Sequence, residues 1–96
     1  MANKGQILVV DDNLASLKLL TDILKAEGYA VRSAINGYLA LNSVSVQPPE
    51  LILLDISMAG INGYEVYRRV NEQGPTRDTP VIFASALSDT LLRHNH

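Results

Sequence analysis

The sequence predicts an α/β protein in which a parallel sheet is wound with helices on both faces. Short apolar runs alternate with helix-period segments from one end to the other, in the order βαβαβαβ followed by a stub. The runs are apolar at successive positions rather than at every second one, as strands buried on both faces are. A helix between each pair of strands implies right-handed crossovers and a doubly wound sheet. Nothing repeats internally, and the short loops leave no linker between sub-domains.

The elements follow in order. Gln6 to Val10 is a continuous, β-branched apolar strand. Asn13 can cap a helix from Leu14 to about Glu27, with Leu14, Leu17, Leu20 and Leu24 marking one face and Gly28 closing it. Ala30 to Ala34 is a strand of lower hydrophobicity, expected near an edge. Asn36-Gly37 opens a second helix to about Val46, with Leu41 and Val44 as core candidates, and Pro48-Pro49 breaks it. Leu51 to Leu54 is the third strand. Asn62-Gly63 opens a third helix to about Gln73, with Val66 and Val70 one turn apart, and Gly74-Pro75 ends it. Pro80 to Ala84 is the fourth strand, and Ser88-Asp89 can cap a last, short helix.

Ninety-six residues, 47% hydrophobic and 19% charged with a net charge of −2, suit one globular domain with a modest core rather than a disordered chain. Without a basic excess, nucleic-acid binding of the usual electrostatic kind is not expected. The absence of cysteine excludes disulfides, zinc-thiolate sites and thiol catalysis. No apolar stretch approaches the roughly 20 residues of a membrane span, and the first residues run directly into a strand. The expected location is the cytoplasm.

Two strands end in acid: Val10 runs into Asp11-Asp12, and Leu54 into Asp55. In open parallel sheets the functional crevice lies beyond the carboxyl ends of the strands. If the first and third strands are neighbours, the three carboxylates converge there, with Ser85 at the end of the fourth strand. Clustered carboxylates resist ionisation unless a cation sits among them. Mg²⁺ takes one or two carboxylates and keeps waters and phosphate oxygens. Asp12 and Asp55 are the natural direct ligands, with Asp11 holding a bound water. A carboxylate oxygen of Asp55 is then free to attack phosphorus, and Ser85 offers a hydroxyl to a phosphoryl oxygen.

The chain resembles a bacterial response-regulator receiver domain over essentially its whole length. The resemblance is carried by Ile7-Leu8-Val9-Val10-Asp11-Asp12-Asn13, Leu53-Leu54-Asp55-Ile56-Ser57-Met58, Gly60-Ile61-Asn62-Gly63-Tyr64-Glu65 and Pro80-Val81-Ile82-Phe83-Ala84-Ser85-Ala86. It implies a flavodoxin-like fold and an aspartyl-phosphate switch charged by a histidine kinase or histidine phosphotransfer protein. Carried over by position, Asp55 is the phosphoacceptor and Asp11 and Asp12 are metal-site acids. The Ser57 carbonyl completes the protein ligands to Mg²⁺. Ser85 is the hydroxyl switch residue, and the Ala86 amide helps hold the phosphoryl group.

The family also carries a full fourth helix, a fifth strand, a lysine after it and a fifth helix, whereas this sequence stops at His96 and has no lysine after Lys25. The expectation is therefore a C-terminally truncated receiver domain with an impaired output switch. Ala59 and Asn62 replace a common proline and aspartate, which predicts a slightly looser loop. With the family's strand order 2-1-3-4-5 and no fifth strand, the fourth strand becomes an apolar edge, and dimerisation is expected through that side. The alternative function is a phosphorylation-independent pseudo-receiver acting as an interaction module. A metal-dependent phosphatase is disfavoured because Ser57 is not a second acid. Tyr64 and Tyr67 read as helix-surface and core groups, His94 and His96 as solvated, and Gly60 and Gly63 as turn and helix-start glycines.

Overall fold

The structure, a computed structural model, describes residues 4–55, 61–72 and 74–83. Its elements are β1 (Gln6–Val10), α1 (Leu14–Ala26), β2 (Ala30–Ala34), α2 (Gly37–Val46), β3 (Leu51–Leu54), α3 (Gly63–Glu72), a 3-10 turn (Gly74–Thr76) and β4 (Val81–Phe83). The strands form one sheet in the order β2-β1-β3-β4, and every neighbouring pair is parallel. Ser57, Ser85, Ala86, the Ser88-Asp89 cap and both histidines lie outside the described residues.

The period-2 pleat of β1 explains why its run is apolar throughout. Leu8 and Val10 point into a core with Ala40 and Val44 of α2 and Val66 and Val70 of α3. Ile7 and Val9 point the other way, onto Leu17 and Leu20 of α1. Both faces of the strand are therefore covered, and the winding is double.

α1 begins where Asn13 turns extended backbone into helix, its side-chain oxygen accepting the Ser16 N–H at 3.0 Å. It ends at Glu27 in a Schellman arrangement, with the Gly28 N–H on the Lys25 carbonyl and the Tyr29 N–H on the Leu24 carbonyl. Gly28 stands at φ +100°, a conformation that a side chain would strain. Asn36 and Asn62 cap α2 and α3 in the same way, accepting the N–H groups of Leu39 and Glu65.

Two expectations need correction. Leu14, expected on one face with Leu17 and Leu20, is 69% exposed and belongs to neither core. Tyr67 is also largely exposed rather than core, and it leans with Tyr64 on the Phe83 ring at centroid distances of 6.1 and 5.3 Å. α3 stops at Glu72, ahead of Gly74-Pro75, as expected. These residues form a 3-10 turn with Thr76, whose buried hydroxyl donates to the Val70 carbonyl at 2.8 Å. β4 is shorter than expected in its described part and stands at one edge of the described sheet, with Ile82 exposed. Among the described residues no helix is long and apolar enough to cross a membrane.

Candidate functional site

β1 lies between β2 and β3, and the two registers align its end with both neighbours: Val10 pairs with Ala34 and with Leu54. The ladders run one residue further. The Asp11 N–H donates to the Ala34 carbonyl at 3.1 Å, and the Asp55 N–H donates to the Val10 carbonyl at 2.9 Å. Backbone pairing thus fixes Asp11 and Asp55 side by side at the carboxyl edge of the sheet. Asp12 follows directly and leads into Asn13, the cap of α1.

The three side chains converge. One carboxylate oxygen from each of Asp11, Asp12 and Asp55 lies within 4.8 Å of the others. Asp11 is buried at 7% exposure, Asp55 is half-buried and Asp12 is open to solvent. Burial pushes the Asp11 carboxyl above its ordinary value. The Asn13 N–H, donating to Asp11 Oδ1 at 2.9 Å, pulls the other way, while Asp55 and Asp12 push it further up. This is a cluster of hard oxygen donors held together against its own repulsion.

The structure brings together the three acids that the sequence reading set at this edge, and it adds the Asn13 N–H, which that reading missed, as a partner of Asp11. Asp11 itself is the only sequence signal, since a short acid commonly folds back onto the backbone N–H two residues on, whatever residue stands there. Ser57, Ser85 and Ala86, expected at the same crevice, fall outside the described residues.

Comparison with known proteins agrees with this geometry. Residues 7–95 match the family described as the response regulator receiver domain. The response regulator PleD of Caulobacter vibrioides is 42% identical over 83 residues, spanning 86% of this chain and 18% of PleD. The polar-differentiation response regulator DivK of Brucella anthropi is 33% identical over 82 residues, spanning 85% of this chain and 67% of DivK. The solved N-terminal domain of a response regulator receiver protein from Methanoculleus marisnigri JR1 superposes with a TM-score of 0.78 at 36% identity, covering 81% of this chain and 63% of that one. The chain therefore spans less than a fifth of PleD and under two thirds of that solved domain. Matched over nearly its full length and folded like these relatives, the chain belongs to the response-regulator receiver family.

Proposed function

We propose that this chain works as one phosphoacceptor domain, taking a phosphoryl group on Asp55 from a histidine kinase or histidine phosphotransfer protein. The observation that carries the reading is the convergence of Asp11, Asp12 and Asp55 at the ends of adjacent strands. Receiver domains typically bind Mg²⁺ through acidic residues, and this donor set fits such an ion. It consists of hard oxygen ligands, and the buried Asp11 is acted on by two further carboxylates. Asp11, Asp12 and Asp55 would hold the ion, with the Ser57 carbonyl as a ligand carried over from the family. Bound there, Mg²⁺ neutralises charge on the carboxylates and on the incoming phosphoryl oxygens.

The chain's own groups supply the rest. A carboxylate oxygen of Asp55 forms the new bond to phosphorus while the bond from phosphorus to the donor's imidazole nitrogen breaks. The imidazole leaves with the electron pair and takes up a proton. The ladder hydrogen bond from the Asp55 N–H fixes where that carboxylate starts. The N-terminal end of α1, opening just after Asp12, favours an anion at this edge. Ser85, by its hydroxyl, and Ala86, by its backbone amide, are the further phosphoryl contacts that the family relationship suggests.

Intact mass after incubation with Mg²⁺ and a small phosphodonor such as acetyl phosphate tests the reading. The wild type is expected to gain one phosphoryl group, and Asp55→Ala none. No gain in the wild type, or an equal gain in Asp55→Ala, rejects it and favours an interaction module that works without phosphorylation.

A further inference from the structure

Asn13 holds the acid cluster and the first turn of α1 at once. Its backbone N–H donates to Asp11 Oδ1 at 2.9 Å. Its side-chain oxygen accepts the Ser16 N–H at 3.0 Å, and its carbonyl accepts the Leu17 N–H at 2.9 Å. One polar group therefore reaches back to the most buried of the three acids, and two reach forward into the helix. Asn36 and Asn62 cap α2 and α3 with the same side-chain bond, at 2.8 and 3.0 Å. Neither has an acid two residues before it: Ala34 and Gly60 stand there.

The backward and forward bonds depend on one another. The direction of the Asn13 N–H is that of the Asp12–Asn13 peptide plane, which is rigid. The φ of Asn13, −88°, sets that plane against the helix, and the bonds to Ser16 and Leu17 hold the residue in this conformation. The same plane contains the Cα of Asp12. Two of the three acids are thus referenced to α1 through one peptide unit, Asp11 by its hydrogen bond and Asp12 by its backbone. A carboxylate bonded at one oxygen also has its second oxygen fixed, because the group is planar. Without the cap, the plane can rotate and the carboxylate oxygens scatter.

We propose that Asn13 is a positioning residue that couples cation occupancy of Asp11, Asp12 and Asp55 to order in the first turn of α1. The inference rests on the reading that these acids hold Mg²⁺. An ion drawing on Asp11 and Asp12 restrains the peptide plane between Asp12 and Asn13, and the cap bonds then open less often. The coupling is reciprocal, so whatever loosens the cap weakens ion binding by the same factor.

Isothermal titration of Mg²⁺ into the 96-residue chain tests it, with circular dichroism confirming that each variant is folded. Asn13→Ala keeps the N–H and loses the cap oxygen, and should bind Mg²⁺ about fivefold more weakly or worse. Asn13→Ser restores a cap oxygen and should return Kd to within about twofold of the wild type. A cap that served α1 alone would lower Tm in Asn13→Ala and leave Kd unchanged. Native-state hydrogen exchange of the wild type gives a second reading that needs no variant. Saturating Mg²⁺ should slow the Asn13 and Ser16 amides about fivefold or more, and the Leu39 amide, capped by Asn36, by less than about twofold. An Asn13→Ala variant that binds as tightly as a wild type that does bind overturns this inference alone. So does a Ser16 amide that slows no more than that of Leu39. A wild type that takes up no Mg²⁺ removes the metal reading itself, and this inference with it.

Discussion

Asp11 is the residue on which the site's energetics turn. It is the most buried of the three acids, and the forces on it are mainly opposed to its charge. A divalent cation among Asp11, Asp12 and Asp55 would convert mutual repulsion into attraction, so binding couples directly to stability. Mg²⁺ at about ten times its Kd contributes roughly 1.4 kcal/mol, which for a domain of this size raises Tm by roughly 5–10 °C. Asp12→Asn should have opposite effects in the two conditions. It removes one repelling charge and raises the metal-free Tm, yet it loses most of the Mg²⁺-induced increase. Differential scanning fluorimetry with and without Mg²⁺ reads both, and a variant with an undiminished Mg²⁺ response would remove Asp12 from the ligand set. The three acids were legible in the sequence because charge placed directly after a buried strand has few structural reasons to be there. The Asn13 N–H was less legible, because a backbone donor leaves no mark on residue type.

Among the elements, the helix ends show how much local chemistry comes from outside the element. α2 has no basic residue in its last turn, and Arg32 of the neighbouring β2 supplies one. Its guanidinium donates to the Ser43 carbonyl at 3.3 Å and to the Gln47 carbonyl. An arginine in an edge strand gave no such sign in the sequence, since the pairing spans separate elements and depends on the finished fold. α3 instead secures itself locally. Glu65 accepts from Arg68 and Arg69, and Arg68 also reaches Glu72 at 2.8 Å. The hydrogen bond from Arg68, then that from Arg69, hold the Glu65 carboxyl below its ordinary 4.5. A carboxyl lowered on folding adds stability above its unfolded value and loses it as pH falls through the folded one. Glu65→Gln should therefore melt below the wild type at neutral pH, and the gap should close below pH 4.5. Thermal melts across that range check the sign, and a gap that persists in acid would mean the variant acts through packing.

The described residues form a sheet with two separate cores, one under α2 and α3 and a smaller one under α1. Ile52, fully buried in the larger core and paired to β1 through Leu8, joins the sheet to its helices. Ile52→Ala should cost about 2–5 kcal/mol in chemical denaturation. A cost below about 1 kcal/mol would mean that the surrounding side chains close the gap. This architecture was readable almost entirely from period and punctuation, because strands buried on both faces and Asn-capped helices leave distinct patterns. What escaped was set by tertiary position. Leu14 falls outside both cores, Tyr67 leans on the Phe83 ring, and the turn at Thr76 depends on the Val70 carbonyl of α3.

The ladder bonds at the ends of β1 and β3 have one more consequence. The Asp55 N–H is bonded to Val10 between the two central strands, whereas the Asp11 N–H is bonded to Ala34 of the edge strand β2. Edge pairings open at lower free energy than central ones, so the Asp11 amide proton should exchange ahead of the Asp55 one in native-state hydrogen exchange. The pocket of acids therefore loosens first from its β2 side.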